Sequence, residues 1–240
     1  MRLSPYTFRD GLRDGLPIAL GYLSVSFGFG VSSAGLGLSW LQSTIISITN
    51  VTSAGQVAGV AIIAALGSLG EIALTQLVIN IRYLLMSISL SQKLDDGCTL
   101  PHRFAISYAV TDEIFAVSSA KPNPVGYLYM YGLISLPVLG WTIGTLLGGV
   151  AGEILPAAVN AAMGIAIYGM FVAIVVPAAR SDKGVLLCAA ISVLLSCLIR
   201  YLPALSGITG GFSVIICAII AATVAAIVKP IPVEEEADAQ

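Results

Sequence analysis

Three ionisable residues stand inside apolar runs, and they are the first candidates for chemistry. Arg82 lies in Val78-Ile79-Asn80-Ile81-Arg82-Tyr83-Leu84-Leu85, and Asp112 with Glu113 in Val110-Thr111-Asp112-Glu113-Ile114-Phe115. A charge in hydrocarbon is costly, so such groups mark a transport pathway or a charge pair. An arginine beside two acids keeps one carboxylate ionised and leaves the other, without its own cation, inclined to hold a proton. The spacing assigns Asp112 to a pair with Arg82 and Glu113 to an exchangeable proton, with structural pairing as the alternative. Ser43, Thr44, Ser47, Thr49, Asn50, Thr52, Ser53, Gly55 and Gln56 form a second constellation. Ser and Thr can bond back to their own helix, but Asn50 and Gln56 need protein, water or ligand partners in lipid. Gly55 could break the helix and free backbone groups. Asn50, Gly55, Gln56 and Asn80 are the resulting candidates for substrate binding.

These residues need elements that hold them inside a bilayer. The 240-residue chain is 57% hydrophobic and 10% charged, where a soluble domain carries roughly 25% charged residues. About 20 apolar residues cross the hydrocarbon core. The pattern therefore predicts an all-α, polytopic transmembrane bundle of about eight crossings, near 16–36, 41–66, 72–91, 104–120, 125–150, 155–177, 184–201 and 207–228. The second is open to a broken or re-entrant reading, which would leave seven. A single membrane domain covers 1–232, and 233–240 is an acidic disordered tail. The basic-then-apolar start reads as a retained first span rather than a cleaved leader. With a cytoplasmic N-terminus, the basic residues favour a cytoplasmic 180–183 loop and an outside 92–103 loop.

Gly140, Gly144, Gly148 and Gly152 make a smooth helix stripe that admits a second helix, from this chain or another subunit, and Pro137 kinks the same helix. Leu69-Gly70-Glu71-Ile72 and Ala151-Gly152-Glu153-Ile154 hint at a repeat. His102 reads as a solvated loop residue and the four cysteines as inert thiols. A net charge of −2 excludes a nucleic-acid face. With no HExxH pair, second histidine or P-loop, the sequence offers no metal site, cofactor or enzyme chemistry, and an ion gradient is the available energy source.

Leu16-Pro17, Gly21-Tyr22, Phe27-Gly28, Ala54-Gly55-Gln56, Asn80-Ile81-Arg82-Tyr83-Leu84-Leu85-Met86 and Thr111-Asp112-Glu113-Ile114-Phe115 together resemble the AzlC family, the large subunit of branched-chain amino acid exporters. The family pattern usually has a histidine after the arginine, where this chain has Tyr83. The resemblance implies secondary export of branched-chain or other hydrophobic amino acids from the bacterial inner membrane against proton entry, with a small AzlD-like membrane subunit. The runner-up is a membrane scaffold or assembly subunit, and a lipid-modifying enzyme stands third.

Overall fold

A computed structural model describes residues 3–156, 158, 169, 171–172, 175–205 and 207–229. Most of the expected 155–177 crossing and the 233–240 tail lie outside the described residues. The described residues form helices and a single isolated β-bridge. Five helices are long and apolar enough to cross a membrane: α1 (Phe8–Gly35), α4 (Leu69–Lys93), α7 (Tyr127–Ile154), α8 (Lys183–Tyr201) and α9 (Gly210–Val228). The chain is an all-α, multi-pass membrane protein.

Between the long helices lie four short ones, α2 (Trp40–Thr49), α3 (Ser53–Ala64), α5 (Leu100–Ser107) and α6 (Asp112–Ser119). Three of the four carry their own start signal. Ser39 and Gln42 form a capping box for α2, and the Thr111 hydroxyl accepts from the Ile114 amide at the start of α6. Pro101 sits in the first turn of α5, where its missing N–H costs nothing.

The centre of the bundle is a parallel pair, α1 against α7. The glycine stripe faces α1 of the same chain. A Cβ on Gly140 would lie 2.5 Å from the Ala19 carbonyl oxygen, and one on Gly152 2.7 Å from Ala34 Cβ. In return, a Cβ on Gly15 would meet the Leu133 carbonyl oxygen and one on Gly30 the Gly149 amide, each at 2.5 Å. Small residues on both faces let the backbones touch. The contacts pair N-terminal half with N-terminal half, so both helices start on one side of the membrane, here called proximal.

This pair fixes the sidedness of everything else. The end of α4 is tied to the proximal side: the Ser4 amide donates to Asp95 Oδ2 at 3.0 Å, and Leu94 bridges to Val125, just before α7. So α4 runs from the distal side to the proximal side, and α2–α3 begins and ends distally. The Trp40 amide donates to Glu153 at the distal end of α7, Ser47 shares a 2.7 Å hydrogen bond with Thr145 farther in, and α3 then climbs back along α4. At about 1.5 Å per residue its 10- and 12-residue arms reach about halfway through a core of about 30 Å. The second expected crossing is a re-entrant hairpin.

The fourth expected crossing, 104–120, is corrected in the same way. The α5 end is anchored proximally by Arg103, which donates to the Ser91 and Cys98 carbonyls at 3.0 Å, and α6 returns to Lys121, which pairs with Asp14 near the start of α1 at 2.7 Å. Two 8-residue arms enter and leave on the proximal side. The Tyr108 hydroxyl at their tip donates to the Ile48 carbonyl in the α2 end of the opposite hairpin. The 92–103 segment therefore shares the N-terminal side instead of facing away from it. A hairpin has the same apolar composition as a crossing, which is why hydropathy alone could not separate them.

α9 starts distally, where its Gly211 amide meets Glu71, and ends with Lys229 beside Gly184 at the start of α8. Arg9, Arg13, Lys93, Arg103, Lys121, Arg180, Lys183 and Lys229 thus gather on the proximal side, with Arg200 in the last turn of α8 on the distal side. Single cysteines in a cysteine-free background test this arrangement. Thr99→Cys and Ser181→Cys are expected to label from one face and Leu66→Cys from the other. Eight straight crossings require Thr99→Cys to label from the face opposite Ser181→Cys.

Three smaller expectations also meet the structure. His102 is half-buried in α5 rather than solvated in a loop, stacked on Tyr127 at 4.2 Å with Nδ1 2.8 Å from the Tyr131 hydroxyl. Cys98 is buried and its thiol is pushed up to about 11, first by burial and then by the neighbouring Asp95, so it is unreactive at neutral pH. Cys197, by contrast, is exposed. Finally, Glu71 lies in the first turn of α4 and Glu153 in the last turn of α7, so the two Gly-Glu-Ile stretches do not repeat one local structure.

Candidate functional site

The two hairpin tips meet α1, α4 and α7 around a cavity of about 530 Å³ at mid-membrane depth. Val51, Ser53 and Ala54 face it from the first tip, and Thr111, Asp112 and Glu113 from the second. Each tip presents the start of a half-helix. The amides of Ser53 and Ala54 at the start of α3, and of Asp112 and Glu113 at the start of α6, have no acceptor among the described residues. The first turn of any helix leaves such N–H groups unsatisfied and carries partial positive charge. Two helix starts thus open onto one space.

Arg82 and Asp112 form an ion pair across that space, with Nη1 2.8 Å from Oδ2 and each side chain about half exposed. Arg82 also donates to the Tyr83 hydroxyl at 3.1 Å and lies 4.8 Å from the centre of its ring. Tyr83 therefore supplies an oxygen acceptor and a ring face beside the guanidinium. Glu113 has a different partner. Tyr22 Oη lies 2.5 Å from Glu113 Oε2 and 2.6 Å from Thr111 Oγ1. With a single proton to give, the phenol best donates to the carboxylate and accepts the threonine hydroxyl. The two adjacent acids, pointing about 100° apart, are thus served by different helices, Asp112 by α4 and Glu113 by α1.

The remaining walls are apolar: Ile18 and Val25 of α1, Ile79 of α4, Trp141 of α7, with Phe171 and Val175. This is the usual make-up of a small-molecule site, an apolar container with a few convergent polar groups.

The other residues singled out from the sequence lie behind this surface. Gln56 is 1% exposed and fully engaged: its Oε1 accepts from the Trp141 indole at 2.8 Å and its Nε2 donates to Ser47 at 2.7 Å. With Thr145 beyond Ser47, this chain fastens the first hairpin to α7. Gly55 sits in α3 rather than at its break, and its carbonyl accepts from Gln76. The break falls at Asn50–Thr52, where the Thr52 hydroxyl donates to Asn50 Oδ1 at 3.0 Å. Asn80 donates to Gln76 at 2.9 Å, and its own Oδ1 is buried without a partner among the described residues. None of Asn50, Gly55, Gln56 and Asn80 lines the cavity; their neighbours Val51, Ala54, Ile79 and Tyr83 do. Sequence reasoning passed over Tyr22 and Trp141 as site residues because single aromatics in apolar helices carry no periodic signal.

Comparison with known proteins adds an independent finding. Residues 17–155, more than half of the chain, match the family described as AzlC protein. The chain is 27% identical over 192 residues to the inner membrane protein YgaZ of Escherichia coli (strain K12), covering 77% of this chain and 78% of that protein. It is 32% identical over 172 residues to an uncharacterized membrane protein of Archaeoglobus fulgidus, covering 71% and 75% respectively. No solved structure matches.

Proposed function

The chain belongs to the AzlC family, and from that premise we propose that it is the large subunit of a secondary transporter exporting branched-chain or other hydrophobic amino acids across the bacterial inner membrane, driven by proton entry. It works with a small AzlD-like membrane subunit and does no enzyme chemistry. The observation that carries this reading is the mid-membrane cavity onto which two half-helix starts, an ion pair and a second acid all open.

A zwitterionic amino acid needs donors for its carboxylate, an acceptor for its ammonium and an apolar slot for its side chain. The free amides of Ser53 and Ala54 suit the carboxylate, because Arg82 is already committed to Asp112. The second acid, Glu113, suits the ammonium or a proton in alternation, and the Ile18, Val25, Ile79, Phe171 and Val175 wall suits a branched side chain. The proximal side is read as cytoplasmic, because eight of the basic residues gather there against Arg200 on the distal side. A scaffold whose charges only lock helices gives no reason for unsatisfied helix starts to face a cavity.

The deciding experiment is efflux from loaded cells or vesicles across a panel of amino acids. Valine, leucine and isoleucine are expected to leave faster with the protein and its small subunit present, and an inward proton gradient is expected to raise that rate. Equal rates with and without the protein for every hydrophobic amino acid would support the scaffold reading.

A further inference from the structure

The phenol of Tyr22 stands between two groups of the second hairpin tip, 2.5 Å from Glu113 Oε2 and 2.6 Å from Thr111 Oγ1. Its ring is held from the other side. Trp141 packs edge-on against it with centroids 5.3 Å apart, and the Trp141 indole is itself fixed by its 2.8 Å bond to the buried Gln56. The oxygens of this chain therefore keep their places, and what changes within it is where the protons lie, because hydroxyl hydrogens rotate to suit their partners.

Thr111 Oγ1 has one hydrogen to give and two lone pairs to fill. One lone pair takes the Ile114 amide at 3.4 Å, as the cap of α6. Two directions remain, one toward Tyr22 Oη and one toward the cavity that Thr111 lines. With Glu113 ionised, the phenol donates to the carboxylate, so the Thr111 hydrogen points at Tyr22 Oη and a Thr111 lone pair faces the cavity. With a proton on Glu113 Oε2, the carboxyl O–H donates to Tyr22 Oη, the phenol hydrogen turns to Thr111 Oγ1, and the Thr111 hydrogen is displaced toward the cavity. One proton enters at Glu113 and none leaves. Each hydroxyl keeps its own hydrogen, and the two bonds reverse direction.

We propose that Tyr22 is a relay and Thr111 an ammonium-binding residue: a proton on Glu113 turns Thr111 from an acceptor into a donor at the cavity wall and so expels the ammonium group that the two residues hold when Glu113 is ionised. The assignment rests on the reading of the cavity as an amino acid site, and it supplies the competition between proton and substrate that an exchanger requires. In the ionised state an ammonium meets a carboxylate and a hydroxyl lone pair. In the protonated state it meets neither, and a hydrogen points at it instead. The other titratable groups around Glu113 are engaged elsewhere: Asp112 of its own helix pairs with Arg82 of α4, and Tyr83 of α4 accepts from Arg82. Among the described residues, α3 and α7 present Ser53, Ala54 and Trp141 to the cavity, none of them titratable.

The relay is read first without substrate, on the purified full-length protein, by infrared difference spectra taken as pH falls. A carboxyl C=O band that is absent in Glu113→Gln is expected to shift in Tyr22→Phe, which keeps the ring against Trp141 but has no oxygen to accept the carboxyl hydrogen. Binding is then measured with leucine, with 3-methylbutylamine, which lacks the carboxylate, and with 4-methylpentanoate, which lacks the ammonium. Leucine and the amine are expected to weaken below the Glu113 titration by up to about tenfold per pH unit, as competition with one proton requires, and the acid is not. Tyr22→Phe and Thr111→Val are expected to cut the ratio of leucine affinities above and below the titration several-fold. Thr111→Ser, which keeps both the hydroxyl and the cap, is expected to hold the wild-type ratio, and Thr111→Val serves if Tyr22→Phe does not fold. No Glu113 carboxyl band, an unshifted band in folded Tyr22→Phe, or a wild-type ratio in Tyr22→Phe or Thr111→Val would overturn the relay. A shifted band with no binding of any probe would keep the relay and reject the ammonium role together with the amino acid reading. Leucine binding that weakens as pH falls, with an unshifted band, would reject the relay and keep that reading.

Discussion

Gly144→Leu is expected to abolish the folded protein rather than trim its activity. A Cβ at that position alone would overlap Ser26 Oγ and the Leu23 carbonyl, and the stripe continues at Gly148 with Phe27 Cα 2.9 Å from a Cβ. Backbone atoms of a 28-residue helix cannot step aside without moving the whole helix. Overpacking a core typically costs about 1–3 kcal/mol and more when backbone must shift, so a loss of about 3 kcal/mol or more is expected here. Gly144→Ala is expected to show part of the same loss. Leu147→Val, on the lipid-facing side of α7, where Leu147 is 52% exposed, should be close to neutral. Thermal unfolding of the purified proteins measures this directly. A Gly144→Leu protein with the wild-type midpoint would mean that α1 and α7 do not pack as described.

The second large effect is expected at the ion pair. Asp112→Asn leaves Arg82 without its carboxylate near mid-bilayer depth, where an arginine costs about 2.5–3.5 kcal/mol on insertion scales. Arg82→Gln strands the acid instead. Each single variant should lose stability and most of its efflux, and the Arg82→Gln/Asp112→Asn double variant should recover stability without recovering efflux. Non-additivity of that kind is the signature of a direct interaction. Glu113→Gln belongs to the same experiment with a different outcome. Its carboxylate is bonded by Tyr22 and not by arginine, so the variant should fold normally while efflux loses its dependence on external pH. Wild-type pH dependence in Glu113→Gln would remove the proton role, and a double variant no more stable than either single one would remove the pair.

Much of this was legible in the residues. The apolar runs gave the long helices, and the four-residue glycine spacing gave a close contact, although only the structure shows that α1 is the partner. The polar run from Ser43 to Gln56 announced a break, because hydroxyls and amides in hydrocarbon need a reason to be there. It did not say where: the glycine that looked like a hinge packs inside α3, and the chain turns at Asn50–Thr52. The break before Asp112 left a local trace as well. Thr111 followed by two acids is a helix-start signature, a capping hydroxyl with negative charge in the first turn. Hydropathy averages across it, since Ala109 and Val110 on its other side are apolar and buried. Sidedness was out of reach for a related reason. Hydropathy cannot tell an excursion that returns from one that passes through, so each hairpin counted as a crossing inverts every loop up to the next.

The short arms of the hairpins bear on how the protein is made. Helices of eight to twelve residues are marginal alone, and none of the four spans the hydrocarbon. The insertion machinery can recognise the long helices as they emerge, but it has nothing in α5–α6 to release into lipid as a finished span. That hairpin is synthesised before α7, the helix against which His102 stacks and on which the proximal ends of α1 and α4 converge. Until α7 arrives, the Thr111–Glu113 tip has no complete cavity to face. The order of translation therefore meets the polar tip with its partners Tyr22 of α1 and Arg82 of α4 already made, and α7 arrives last to add the Trp141 wall that completes the cavity.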